Sequence, residues 1–378
     1  MKKIVGILSA AAVLAASVFA ADVSAKVKVD GSILNLDKDG NFSALQVEHK
    51  SEGHNPDFSF SVSGDNAGAS MSFYYGGDIS GENPTCNDET CWNKGKNNGW
   101  CDHSKPSSVN TSMGVVNNKY NTVAQSYSVW FKPIDALKVT VGQYSTNLNQ
   151  ETIDWCQTET GIDKQGIALD LNVDALFATV FFAPGWGKYW FSAPKDGDVA
   201  LSGLYFKAGY GADFGRIQGM FRLVDNKNMW FGAGYDNTFG SVKMFVNALA
   251  GINTDKGFAV RGEAFASTNI DIVGLSVFVA GGYAADNIPS GLSGWRIGQP
   301  VVDKASVGAT FKATFALDGF TPYIYVKDAN FLADTFAIEI KPGVTGNVGM
   351  MGYEVAVDMN ISGSDFTLNV PVSFTVSF

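Results

Sequence analysis

Beyond its first twenty residues the chain has no apolar run approaching the roughly 20 residues that a membrane-spanning helix needs. The densest patch, Leu176 to Phe182, stops short at Pro184. That excludes a helical membrane bundle. It leaves a membrane barrel open, because the two faces of alternating strands cancel in a mean hydropathy of +0.02. Basic residues are scarce, 27 against 37 acids, for a formal net charge of −10. The balance disfavours nucleic acid or anionic lipid as a partner and suits an acidic outer surface or a mild preference for cations. Histidine is scarcer still. His49, His54 and His103 lie in no nucleophile, metal or phosphate motif, so no catalytic, cofactor or metal site is assigned and the chain does not read as an enzyme.

Cysteine is limited to Cys86, Cys91, Cys101 and Cys156. In an exported chain an even number is read first as two disulfides, and three connectivities remain open. Metal ligation is the alternative, since the first three lie near Asp102 and His103, but the spacing matches no compact zinc pattern. Export itself is read from the start. Lys2 and Lys3 precede an apolar stretch from Ile4 to Phe19, and Val18-Phe19-Ala20 offers a cleavage site. Residues 1–20 are therefore expected to be a removed signal peptide. A second candidate cut follows Ala25. No low-complexity linker divides residues 21–378, which read as one domain.

What the chain does have is alternation. Phe366, Leu368, Val370, Val372, Phe374, Val376 and Phe378 occupy one phase, and Thr367, Asn369, Pro371, Ser373, Thr375 and Ser377 the other. Successive side chains of a strand point to opposite faces, so one face is apolar and the other polar. Pro371 cannot donate to a neighbouring strand, an objection that a bulge or an unpaired position near the closing seam would remove. The same reading fits Leu137 to Val141, Ile167 to Leu171, Arg216 to Leu223, Val307 to Phe315, Phe336 to Lys341 and Tyr353 to Met359. Short gaps such as Pro133 to Ala136, Asn172 to Asp174, Gly211 to Phe214, Thr268 to Asp271 and Leu317 to Gly319 carry turn residues. Long gaps alternate with them: Gly77 to Asn121, Ser145 to Lys164, Pro184 to Asp198 and Ala284 to Lys304.

Strands near the 9 to 11 residues of a tilted crossing, in greater number than one sandwich needs, predict an all-β fold. The expectation is a single transmembrane antiparallel up-and-down β-barrel of 18 strands, with 16 as the alternative. About 19 candidate segments are countable, and the excess falls within Lys26 to Tyr75.

The last strand, with Phe374, Val376 and the terminal Phe378 on one face, resembles the C-terminal assembly signal of bacterial outer-membrane β-barrel porins. The hairpin YSVWFKPIDALKVTVGQY, from Tyr127 to Tyr144, looks like a porin hairpin. With PGVTGNVG at 342–349 and PVSFTVSF at the end, it is similar to a group of spirochaete outer-membrane proteins. The resemblance implies a multi-pass barrel in the outer membrane, in contact with lipid and with the barrel-assembly machinery. It implies a pore, either a homotrimer or a monomer, that passes small polar solutes and ions.

If the apolar phase meets lipid, the other phase lines the interior. It carries Lys138, Arg216, Arg222, Lys243, Arg261 and Lys312, with Asp170, Glu263, Glu339, Glu354 and Asp358. Arg216, Arg222 and Arg261 set against Glu263 or an acidic loop would make a transverse field. A barrel this wide cannot be filled by its own wall side chains, so water should enter and solutes diffuse through. Loop 77–121, with Asp88, Glu89, Lys94, Lys96 and Asp102, is the expected constriction; a surface loop is the alternative. An adhesin or structural barrel is the competing function, because long stapled loops also suit partner binding.

Overall fold

Strands that are apolar on one side and polar on the other must pair both edges if the apolar side is to meet lipid. A computed structural model describes residues 22–46, 57–76, 121–149, 161–183, 203–224, 227–255, 257–286 and 297–378 of the chain. The described residues form twenty β-segments. These are β1 (Asp22–Leu36), β2 (Phe42–Gln46), β3 (Asp57–Ser63), β4 (Ala67–Gly76), β5 (Asn121–Ile134), β6 (Leu137–Thr146) and β7 (Ile162–Val173). Next come β8 (Leu176–Phe182), β9 (Tyr205–Ala212), β10 (Gly215–Leu223), β11 (Asn228–Phe239), β12 (Val242–Asn253), β13 (Phe258–Ile270) and β14 (Val273–Ala284). The last are β15 (Ser306–Phe315), β16 (Phe320–Asp328), β17 (Ala337–Val348), β18 (Met351–Ala356), β19 (Asp358–Ser362) and β20 (Asp365–Ser377).

Two pairs of segments are single barrel strands. β2 and β3 run in one direction along the same edge of β1, from Phe42 opposite Leu36 to Ser63 opposite Asp22, on either side of residues 47–56. β18 and β19 share β17 and β20 as neighbours and are parted only at Val357. The break has a chemical cause: Pro342 lies on one side of it and Pro371 on the other, and neither has an N–H to give to the ladder. Val357 N–H still donates to Pro342 O at 2.8 Å. Counted this way, the molecule is a closed antiparallel up-and-down barrel of eighteen strands. The surplus segment of the sequence count is the divided strand within Lys26 to Tyr75, where it was expected.

Closure is made by the two ends of the chain. β1 pairs with β20 from Lys26 opposite Ser377 to Leu36 opposite Leu368. Ala25 and Phe378 exchange backbone hydrogen bonds of 3.1 and 2.8 Å at the rim. The register shifts between Ser32 and Asn35, next to Pro371, so the proline sits at a bulge.

Every connection at one rim is short: 64–66, 135–136, 174–175, 213–214, 240–241, 271–272, 316–319 and 349–350. Asp174 and Asp271 adopt φ of 51° and 53° there, a left-handed conformation that aspartate tolerates in tight turns. Both ends of the described chain lie at this rim, and all the longest connections lie at the other. By the rule for such barrels the short-turn rim is periplasmic.

The outer face is the apolar phase. Val129, Leu169, Ile217, Phe231, Val246 and Phe311 are all exposed large hydrophobics. On a protein in water such a continuous apolar belt would be untenable; facing hydrocarbon it costs nothing.

Candidate pore interior

The inner phase is not uniformly wet. Between β7 and β14 it carries Phe181, Tyr205, Trp230 and Phe278, each 0 % exposed. The rings lie flat because an inward glycine on the next strand leaves room. A β-carbon at Gly166 would come within 2.3 Å of Phe181, one at Gly251 within 2.6 Å of Trp230, and one at Gly209 within 2.3 Å of Phe177. Glycine lets a neighbouring ring cover the backbone that a side chain would otherwise hide.

Two connections from the outer rim settle on this wall. After β6, Leu148 joins a buried cluster with Ile162, Phe181, Tyr205, Met220, Trp230 and Leu249. Its seat is Gly232, where a β-carbon would meet Leu148 Cδ1 at 2.8 Å; Gly234 gives the same room to Asn149. The carboxamides of Asn149 and Gln218 approach to 2.6 Å and those of Asn149 and Asn247 to 3.0 Å. Asn247 Nδ2 donates to Asn149 O and to Glu263 Oε2, both at 3.1 Å. Before β15, Ile297 packs with Phe245, Phe278 and Ala280. Gly298 and Pro300 lie over Gly282, and Ser306 Oγ donates to Gln299 O. The interior expected to fill with water is occupied on one side by loop residues and aromatic rings. Apolar packing inside a barrel is favoured wherever loops supply a second layer.

The residues singled out in the sequence fall into three groups. Arg261 and Glu263 form a 2.7 Å ion pair whose side chains are 0 % exposed. The two lie along one strand, not across the lumen, and are covered rather than water-lining. Lys138, Asp170, Arg216, Arg222 and Lys243 belong to β6–β12. Lys138 stands opposite Asp170 in register and places Nζ 4.9 Å over the Trp130 ring. Asp170 accepts from Tyr144 at 2.5 Å and from Thr179 at 2.7 Å. Arg216 Nε donates to Asp236 at 2.8 Å, and its guanidinium lies 5.7 Å from the Phe177 ring. Arg222 donates to Gly161 O at 3.1 Å. Arg216, Lys243, Asp236, Phe245 and Phe265 line a cavity of about 430 Å³ beside Asn149.

Lys312, Glu339, Glu354 and Asp358 make the third group, on β15–β19. Lys312 Nζ lies 4.7 Å over Tyr323, whose hydroxyl donates to Glu354 at 2.6 Å. Lys327 approaches Glu339 at 3.8 Å, and Asn360 donates to Asp358 at 3.0 Å. Phe374 and Phe378 are exposed on the outer face, as β20 alternation requires, with Val376 in the same phase.

Asp88, Glu89, Lys94, Lys96, Asp102 and the four cysteines lie outside the described residues, as does the signal segment. The residues that sequence reasoning missed are Leu148, Asn149, Lys207, Gln218, Asn247 and Ile297. Lys207 donates to Thr146 at 2.6 Å and to Asn147 O at 3.0 Å. One signal pointed to the filled wall. The Leu176 to Phe182 patch is dense because Leu176, Ala178 and Val180 face lipid while Phe177 and Phe181 face packed neighbours.

These features define a transmembrane-type β-barrel of eighteen strands with an apolar outer face. No family model and no curated protein matches the chain. Among solved structures it is similar to the outer membrane protein OpdK of Pseudomonas aeruginosa, with a TM-score of 0.55, 10% identity and coverage of 94% of this chain and 99% of that one. It is similar to OccK9 (OpdG) of the same organism, with a TM-score of 0.54, 11% identity and coverage of 95% and 98%. OccAB4 of Acinetobacter baumannii gives 0.55, 10%, 94% and 98%. At such identity the likeness is one of fold.

Proposed function

We propose that the chain is a passive outer-membrane pore for small hydrophilic solutes and ions, narrowed by the Leu148–Asn149 and Ile297–Pro300 segments. The observation that carries this reading is a wide closed barrel whose inner phase holds charged and hydroxyl groups, with loop residues, among those described, packed against one side. Diffusion through it needs no moving part, and size and charge limits are set where the loops approach the opposite wall.

Charge supports a preference for anions. Lys132, Lys138, Lys207, Arg216, Arg222 and Lys243 belong to the polar phase of β5–β12. Among the described residues that phase answers them there with Asp170 and Asp236. Much of the acidity sits in rim turns instead, at Asp37, Asp39, Asp135, Asp174, Asp213, Asp271 and Asp318. The net charge of the chain is therefore a poor guide to its lumen, and the preference is opposite to the one it suggests. A positive wall concentrates anions and raises their entry rate, most strongly at low salt.

Planar-bilayer reconstitution tests both levels. Stable ohmic steps support the pore, and the sign of the reversal potential in a salt gradient reads the preference. A properly heat-modifiable barrel that carries no current overturns the pore and leaves the adhesin or structural role. Delivery to the membrane is assigned to β20: removal of Phe378 should lower the amount of assembled barrel without changing the conductance of what is assembled.

A further inference from the structure

Opposite the filled wall, the middle of the inner face of β1, β3, β4 and β5 carries two rows of serine, between Trp130, which lies over Gly68, on one side and the Lys28–Asp30 ion pair on the other. Ser24, Ser61, Ser70 and Ser128 stand in one register row, and Ser59, Ser72 and Ser126 in the next, which begins at Lys26. Their neighbours Val27, Phe58, Phe60, Val62, Ala69, Met71 and Val129 occupy the outer phase. Ser24 and Ser61 hydrogen-bond at 2.7 Å, Ser70 and Ser128 at 2.8 Å, and Ser72 and Ser126 at 2.6 Å. None of the seven serines is buried. Among the described residues, the buried apolar ones all lie elsewhere, after β6.

We infer that the water path, and the solutes in it, follow this hydroxyl wall, which passes small neutral polyhydroxy solutes as well as ions. The inference rests on the pore reading above and adds the route. A hydroxyl has one donor and two acceptor sites, so a serine already bonded to its neighbour keeps capacity for a passing solute. The side chain is also among the shortest that can hydrogen-bond, so the wall protrudes least where it is most polar. Pairing fixes the hydroxyls in position, and a solute exchanges hydrogen bonds along the row instead of losing them. On the other side, Leu148, Ile297 and the rings they cover leave no such surface.

Cysteine scanning reads the route directly. Ser61→Cys, Ser70→Cys and Ser128→Cys probe the hydroxyl wall. Ala168→Cys, Ala280→Cys and Thr310→Cys probe inner positions that are at most 1% exposed. Each variant is reconstituted, and single-channel current is followed during addition of a charged methanethiosulfonate reagent, with the parent chain as reference for the native cysteines. The expected result is a stepwise loss of current for the three serine positions and the parent's response for the other three. Loss at the buried positions, or no loss at the serine positions, overturns the route while the channel steps themselves keep the pore reading intact. An independent measurement uses Ser61→Val, Ser70→Val and Ser128→Val together. A dewetted wall should lower conductance and slow the swelling of vesicles in arabitol; unchanged values for both overturn the inference. A parent chain without current would instead remove the pore reading beneath it.

Discussion

The two sides of the barrel interior solve different problems with the same backbone. From β7 to β14 the wall is layered: glycines admit rings, rings admit loop residues, and Arg261 and Glu263 are sealed beneath. From β1 to β5 the middle of the wall is a single layer of paired serines that are not buried, with Trp130 over Gly68 at one end. The difference teaches that a wide barrel does not have one kind of lumen. Its inner phase can hold a packed core on one side and a wetted surface on the other, and substitutions should report which side they touch.

Glu263→Ala should have the largest effect. It strands the buried Arg261 charge, and breaking one partner of a buried pair costs about 3–5 kcal/mol. Urea unfolding in detergent, followed by gel mobility, measures it; a change below 1 kcal/mol (on the order of an exposed pair) would break the contrast between the walls. Trp230→Ala, which empties a fully covered ring position, should cost about 3–5 kcal/mol in the same assay. Asn149→Ala is smaller. It removes the carboxamide contacts with Gln218 and Asn247, at about 1 kcal/mol each, and single-channel conductance should rise as the corner loosens. Ser70→Ala on the open wall should stay within about 0.5 kcal/mol of the parent, and an effect as large as that of Trp230→Ala would show that this wall is packed too.

The smallest expected effect is at the outer rim. Asp37 accepts hydrogen bonds from the Asn41 side chain at 2.8 Å, from Asn41 N–H at 2.8 Å and from Asp39 N–H at 2.9 Å. These bonds, the Asn41 side chain foremost, hold its carboxyl below the ordinary 3.8. A lowered value means that the turn is stabilised above the unfolded carboxylate range, and that this is lost as pH falls through the folded value. The protection of the Asn41 amide, relative to its intrinsic exchange rate, should therefore fall only as pH drops below 3.8, and Asp37→Asn should abolish that dependence.

Much of the fold was legible because a strand exposes its two faces in strict alternation. β20 could be read residue by residue, and of the two ways the sequence left open for Pro371, a bulge or an unpaired position, the structure has the bulge. The division of one strand within Lys26 to Tyr75 left its trace as a surplus segment. The interior was less legible. Arg261 and Glu263 look in sequence like any other charges of the inner phase, and nothing near them says that they are covered. Leu148 and Asn149 follow β6 as two ordinary loop residues, and their seats at Gly232 and Gly234 lie more than eighty positions away. The serines of β1, β3, β4 and β5 are unremarkable one strand at a time and become a surface only in register. One further expectation follows from β1. Because Asp22, Val23 and Ser24 pair with Ser63, Val62 and Ser61, the mature protein should begin at Ala21, and terminal sequencing that finds Lys26 would show the pairing to be dispensable.

Alternation, turn chemistry and the apolar terminal strand determined, from the sequence alone, that this chain builds a lipid-facing barrel and about how many strands it has. Those signals are local, set by the geometry of successive side chains. Which inner residues are buried, which stay wet and which loop residues return to the wall was decided only in three dimensions. Those outcomes depend on neighbours brought together by strand register and by closure of β1 on β20, and no short stretch of sequence contains them.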